Sequence, residues 1–246
     1  MKTLPYELDD GVAAEGAIGL IVLQTDETLE PELRGVFAGG VSLYHSRIPC
    51  GRAVTVETLA QMRADLPAAA ALLPPGCPFR AIGYGCTSGA TVIGPQEVAG
   101  LVRRHHPNVP VTDPLSAVIA ALSHLDARRI GFLTPYSETV TSAMRGRLEA
   151  AGFEIASMGS FAQEQDRLVA RITEAAVLEG IREVGTVACD AVFVSCTNLR
   201  SLGILARAEG ALGRPVVSSN LALAWHLHVL AGLDWKERAP GRLFAP

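Results

Sequence analysis

Residues 80–89 read Arg80-Ala81-Ile82-Gly83-Tyr84-Gly85-Cys86-Thr87-Ser88-Gly89, an apolar strand-like run that ends in a cysteine and small polar residues. The pattern returns in Val192-Phe193-Val194-Ser195-Cys196-Thr197-Asn198, with Cys196 lying 110 positions after Cys86. A second pair of segments agrees with that spacing. Gly19-Leu20-Ile21-Val22 leads into Gln24-Thr25-Asp26-Glu27-Thr28, and 112 positions later Gly131-Phe132-Leu133-Thr134 leads into Pro135-Tyr136-Ser137-Glu138-Thr139. A weaker match pairs Pro110-Val111-Thr112 with Pro215-Val216-Val217 at an offset of 105. Near-constant offsets indicate a duplicated half, and the shared Cys-Thr at the strand ends makes chance a poor explanation.

Outward from these segments, strand-length apolar runs alternate with helix-length stretches. Strands are predicted at Ala17–Leu23, Arg80–Gly85, Val109–Thr112, Arg129–Thr134, Phe153–Met158, Ala191–Ser195 and Pro215–Ser218. Helices are predicted at Glu57–Leu73, near Pro95–His105, at Pro114–Leu125, about Thr139 to Ala151, Leu168–Leu178 and Leu221–Leu230. This alternation is the signature of parallel sheets built from right-handed βαβ units. The fold expected is α/β with two pseudo-symmetric Rossmann-like (flavodoxin-like) domains. Residues 1–115 with 220–246 would form the N-terminal half and 116–219 the C-terminal half. Two such halves hold a ligand between the carboxyl ends of their strands, where both Cys-Thr turns lie.

The composition suits this. Of 246 residues 49% are apolar and 19% charged, enough to fill a core without reading as disordered. The net charge of −4 comes with no basic stripe, which argues against nucleic-acid binding. No apolar run approaches the length that spans a bilayer, and Glu7, Asp9 and Asp10 fall where a signal core would lie, so a cytoplasmic protein with no membrane partner is expected. In a reducing compartment five cysteines are read as thiols. Cys50, Cys77 and Cys189 lack the strand-end context and are read as packing or surface residues.

A thiolate is both nucleophile and base, and nearby helix N-termini stabilise it. Two thiols flanking one carbon can remove a proton from one face and return one to the other, or add to a double bond and eliminate. Neither route calls for a cofactor or metal, and none is expected. Gly83-Tyr84-Gly85-Cys86-Thr87-Ser88 is no dinucleotide fingerprint, because Ser88 occupies the third glycine position. His226 and His228 sit two apart on a helix and point to different faces, which disfavours a shared metal. Thr87, Ser88, Thr197 and Asn198 add donors for a developing negative charge. Arg47 is a candidate carboxylate clamp, whereas Asp166 and Arg171 read as a surface pair.

The motifs Gly85-Cys86-Thr87-Ser88-Gly89 and Ser195-Cys196-Thr197-Asn198 resemble the two cysteine motifs of the aspartate/glutamate racemase superfamily, in its branch of maleate cis-trans isomerases and the ectoine-utilisation protein A. Leu23-Gln24-Thr25-Asp26-Glu27-Thr28-Leu29-Glu30, Tyr44-His45-Ser46-Arg47, Thr134-Pro135-Tyr136 and Val217-Ser218-Ser219-Asn220 strengthen the match, which runs from about Gly16 to Leu233. The resemblance implies four-stranded parallel sheets, a nucleophilic or basic role for Cys86, an acid or second-base role for Cys196, and a hydrogen bond from Tyr136 to a substrate carboxylate. Gln24, Thr25 and Ser218 join the expected substrate contacts, and relatives imply a homodimer. One departure stands out. Maleate isomerases carry Asn where this chain has Asp26, which resembles instead the first-loop Asp of amino-acid racemases. Ionised Asp only accepts hydrogen bonds, so Asp26 would assist Cys86 or bind a substrate ammonium. The expected function is a cofactor-independent isomerase or racemase of a small carboxylic acid. The alternatives are an arylmalonate-type decarboxylase, in which resemblance implies a thiol only at the Cys196 position, and a non-catalytic carboxylate binder.

Overall fold

The computed structural model describes residues 1–14, 16–37, 41–233 and 240–245. Strand β1 (Ala17–Leu23) is buried along its whole length, as a central strand covered on both faces must be. It pairs in parallel with β2 (Ser42–Ile48) on one side and β3 (Phe79–Gly85) on the other, and β4 (Val111–Thr112) follows β3 to give the order β2-β1-β3-β4. The crossovers are α1 (Leu29–Val36), α2 (Val56–Ala71), the consecutive helices α3 (Thr87–Ile93) and α4 (Pro95–Arg103), and then α5 (Pro114–His124). The same plan recurs with β5 (Arg129–Tyr136), α6 (Glu138–Ala150), β6 (Glu154–Gln163), α7 (Asp166–Val169), α8 (Glu174–Gly185), β7 (Ala191–Val194), α9 (Leu205–Leu212), β8 (Val216–Ser218) and α10 (Ser219–Ala231). Its sheet runs β6-β5-β7-β8, strand for strand the order of the first.

Local chemistry sets the element ends. Asp113 caps α5, its Oδ1 accepting from Leu115 N (2.9 Å) and Ser116 N (3.0 Å), with Pro114 pre-set for the first turn. Thr55 and Thr58 form a reciprocal capping box on α2. Helix α10 leaves the second sheet at β8 and packs on α5 and on β3 of the first.

Three expectations about elements change. Strand β2 and helices α1, α3 and α9 have no counterpart in the sequence reading. The strand expected at Phe153–Met158 is the longer β6. The single helix expected at Leu168–Leu178 is two, because Thr173 caps a new helix with its side chain accepting from Ala176 N (3.2 Å). Among the described residues no helix is long and apolar enough to cross a membrane.

Candidate active site

β3 delivers Cys86 to the N-cap of α3. Its Sγ accepts from Gly89 N at 3.2 Å and lies 3.6 Å from Ser88 Oγ. The approach needs glycine: a Cβ on Gly89 would fall 2.5 Å from Tyr84 Oη, 2.9 Å from Met62 Cε and 3.0 Å from the thiol itself. β7 delivers Cys196 differently. No helix starts there; an irregular turn runs to a 3₁₀ turn at Leu202–Ile204 before α9. Cys196 takes φ +99°, a left-handed conformation costly for a residue with a Cβ. Two bonds hold it there. Its N–H donates to Ser219 Oγ (3.0 Å), and its Sγ accepts from Asn198 N (3.3 Å).

The two motifs are stitched together. Thr87 Oγ1 donates to the same Ser219 Oγ (2.9 Å), and Thr197 Oγ1 donates to the carbonyl of Gly85, next to Cys86 (3.2 Å). Both thiols act on the buried phenol of Tyr136, which hydrogen-bonds Cys196. Both are nearly inaccessible, Cys86 at 3% and Cys196 at 2%. Burial pushes the Cys86 thiol up to about 12, against hydrogen bonds from Ser88 and Gly89. Burial, then the charge of Asp166, pushes Cys196 well above the usual thiol range. Burial therefore favours the neutral thiol at both sulfurs, and whatever activates them must supply positive charge or hydrogen bonds.

Asp26, 4% exposed, has two roles divided between its oxygens. Oδ1 accepts from Thr28 N (2.9 Å) and Leu29 N (2.8 Å), starting α1. Oδ2 is buried with no hydrogen-bond donor, since the single proton of the nearby Thr197 hydroxyl is committed to Gly85. Burial raises this carboxyl from 3.8 to about 6; the backbone bonds oppose the rise and Asp166 adds to it.

Asp166 is the residue the sequence reading missed. It is 7% exposed and not a surface group. Its Oδ2 accepts from Thr25 Oγ1 (2.5 Å) and Asn198 Nδ2 (2.9 Å), and its charge reaches both thiols. Arg171, its expected partner, pairs with Glu27 instead (2.8 Å). Cys50 also belongs at the rim of this network, with Sγ 3.2 Å from Thr25 Oγ1.

Several expected substrate contacts have other work. Arg47 donates to the carbonyls of Leu23 and Asp26 (both 2.9 Å) and pairs with Glu30 (2.6 Å), bracing the first loop from outside. Asn198 accepts from Glu27 N (2.9 Å) and donates to Asp166, joining the halves. The Thr87 and Thr197 hydroxyls are the stitches just described, and Ser218 Oγ caps α10 by accepting from Leu221 N (3.1 Å). Gln24 is exposed, its backbone carrying the loop contacts. Ser88, Thr25 and Tyr136 remain close to the thiols or to Asp166.

A cavity of ≈ 420 Å³ opens beside this network, lined by Thr25, Arg52, Gln165 and Arg167. The loops that frame it are clasped by Val54 N–H donating to the Glu164 carbonyl (2.7 Å). A groove of ≈ 470 Å³ elsewhere, between α2 and α4, is lined by neither cysteine motif. Among the described residues no three His, Cys, Asp or Glu converge as a metal site.

A family model for arylmalonate decarboxylase matches residues 95–244. The chain belongs to the arylmalonate decarboxylase family. Within it, a maleate isomerase of Nocardia farcinica (strain IFM 10152) is 28% identical over 235 residues, covering 91% of this chain and 92% of that protein. A solved structure of a Cys-to-Ser variant of Nocardia farcinica maleate cis-trans isomerase, carrying a covalently bound succinylcysteine intermediate, superposes with a TM-score of 0.83 at 26% identity, covering 93% and 98% of the two chains. Unliganded arylmalonate decarboxylase shares the fold, with a TM-score of 0.75 at 22% identity over 93% of this chain and 98% of that one. The maleate-isomerase branch of the aspartate/glutamate racemase superfamily, expected from the two motifs, is where these findings place the chain within the arylmalonate decarboxylase family.

Proposed function

We propose that this protein is a cofactor-independent isomerase of a small carboxylic acid, with Cys86 and Cys196 as its reactive pair. The observation that carries the reading is the stitched arrangement of two buried thiols from equivalent positions of the two halves, each accepting one backbone N–H. One sulfur, as thiolate, removes a proton from carbon or adds to it, and negative charge passes to the substrate carboxylate. The opposite thiol delivers its proton to the other face, or the adduct eliminates after rotation. In either case one thiol and one thiolate remain at the end, and no electrons are gained or lost. The Tyr136 phenol and Ser88 hydroxyl are placed to donate to the sulfurs or the bound carboxylate, and Arg52 and Arg167, which line the cavity that shares Thr25 with this network, attract an anion to it. The succinylcysteine of the Nocardia farcinica variant supports a cysteine as nucleophile in this family.

Family membership makes decarboxylation the competing reaction, and the second thiol favours isomerisation over it. Cys86→Ala and Cys196→Ala are each expected to lower turnover about a thousandfold, the range for losing an acid or base. The readout is NMR of isomerisation or of deuterium entry from D₂O into small acids. Wild-type rates in both variants, or carbon dioxide release from malonates as the main reaction, would overturn the reading.

A further inference from the structure

We propose that Tyr84 is a positioning residue for Cys86, its phenol donating a hydrogen bond to the sulfur when that sulfur is a thiolate. This rests on the two-thiol reading and deepens it, because it gives each sulfur a phenol from its own half of the molecule. Tyr84 is fully buried, yet its Oη meets no acceptor in hydrogen-bonding geometry. A buried hydroxyl left unsatisfied is costly, and such groups persist where something else uses them. Tyr84 stands on β3 two positions before Cys86, and its phenol reaches the first turn of α3. There the point at which a Cβ of Gly89 would fall lies 2.5 Å from Oη and 3.0 Å from the Cys86 sulfur. Phenol and thiol therefore converge on one gap that only glycine leaves open. After burial, Cys86 has the largest influence on this phenol, ahead of Asp113 and Cys50.

The sulfur lacks strong donors. Sγ of Cys86 accepts from Gly89 N at 3.2 Å and lies 3.6 Å from Ser88 Oγ, while Asp166 and Asp26 oppose its ionisation. A neutral thiol is a weak acceptor, and beside it Oη stays unsatisfied. A thiolate is a strong one, and a small turn of the phenol closes the bond. The hydrogen bond then favours the charged form alone, which is the condition for lowering a pKa. Burial and neighbouring anions hold the phenol's own ionisation well above its ordinary range, so it donates without giving up its proton. No covalent bond changes; the phenol alters only the share of Cys86 present as thiolate. Cys196 has the matching pair of donors, the Asn198 N–H and the Tyr136 phenol. The two tyrosines are not equivalent in the repeat. Tyr84 lies on the strand that leads into its cysteine, whereas Tyr136 ends β5, the strand beside β7.

The test is Tyr84→Phe, which removes the hydroxyl and keeps the ring. Alkylation by iodoacetamide is followed cysteine by cysteine by mass spectrometry across pH, with urea unfolding alongside, in the purified wild-type and variant proteins. Cys86 is expected to react about tenfold more slowly in the variant at each pH below its titration midpoint, the scale of a hydrogen bond to a charged group. Cys196 is expected to keep its rate. The urea midpoint is expected to hold or rise, because the lost hydroxyl had no partner beside the neutral thiol. Loss of an oxygen does not narrow access, so slower alkylation reports the charge of the sulfur. A Cys86 no more reactive in the wild type than in Tyr84→Phe overturns the inference, and so does equal slowing at Cys196. A lowered urea midpoint marks the hydroxyl as structural and overturns it as well. Neither readout needs a substrate, so these failures leave the two-thiol reading standing; that reading falls separately, on wild-type turnover in Cys86→Ala and Cys196→Ala.

Discussion

Asp26 shows how one residue can serve the fold and work against it. Its Oδ1 starts α1, but its carboxyl is raised from 3.8 to about 6 by burial. Between those values the folded protein binds more protons than the unfolded chain, so stability falls as pH rises through that window. Above it the penalty is complete, about 3 kcal/mol for a shift of this size. Asp26→Asn retains the helix start and removes the ionisation. It is expected to raise the unfolding free energy near neutral pH by up to that amount, and to lose this advantage below the ordinary carboxylate range. Urea unfolding of both proteins across pH measures it. Equal stability at neutral pH would show that this carboxyl is not strained by its burial. A gain in stability beside a loss of turnover is the trade expected at an active site. The backbone of Cys196, held at φ +99°, is strain of the same kind.

At the scale of elements, α3 exists to present a sulfur. Gly89 on its first turn allows the N–H···Sγ contact, and any Cβ there meets Tyr84, Met62 and Cys86. Gly89→Ala is expected to cost about 1–3 kcal/mol through overpacking and to shift the Cys86 thiol, seen as altered iodoacetamide labelling and reduced turnover. Gly100→Ala on α4 is the control. Its Cβ meets nothing within 4 Å, so it should stabilise by about 0.5–1 kcal/mol through helix propensity and leave activity intact. A destabilised Gly100→Ala, or a silent Gly89→Ala, would contradict this account of the helix. The elements also show what sequence can and cannot reveal. β1 and β7 are buried along their full length and β3 and β5 nearly so, so their apolar runs were plain to read. β2, mostly half-buried at the sheet edge with Arg47 and His45 in it, carries no such run. Helices α1, α3 and α9 are too short to display a helical period. The cysteines were legible because duplication printed them twice. Asp166 was not, because its burial comes from Thr25 and Asn198, residues 141 and 32 positions away, and no local pattern records that.

At the scale of the whole molecule, the site exists only while the halves stay joined, and Asn198 is the main clasp. Its Oδ1 accepts from Glu27 N, and its Nδ2 donates to Asp166 Oδ2, with its own backbone carbonyl accepting from Thr28 Oγ1 (3.0 Å). Glu32 adds a second tie, accepting from Ser201 N and Leu202 N (both 2.9 Å) and from Asn220 Nδ2 (2.7 Å). The bonds from Glu27 and Thr28 to Asn198, and from Ser201 and Leu202 to Glu32, cross between the first loop and α1 of one half and the cysteine turn of the other, so positions of the two thiols are coupled through them. Asn198→Ala leaves the Glu27 amide without its acceptor and Asp166 Oδ2 with Thr25 Oγ1 as its remaining donor, a loss of about 2–4 kcal/mol. Its more telling effect is on the sulfurs. If the clasp couples the halves, iodoacetamide must label both Cys86 and Cys196 faster in the variant, although only Cys196 is near it in sequence. Faster labelling of Cys196 alone would mean that each half holds its own thiol, and that the shared site is a consequence of packing elsewhere along the interface.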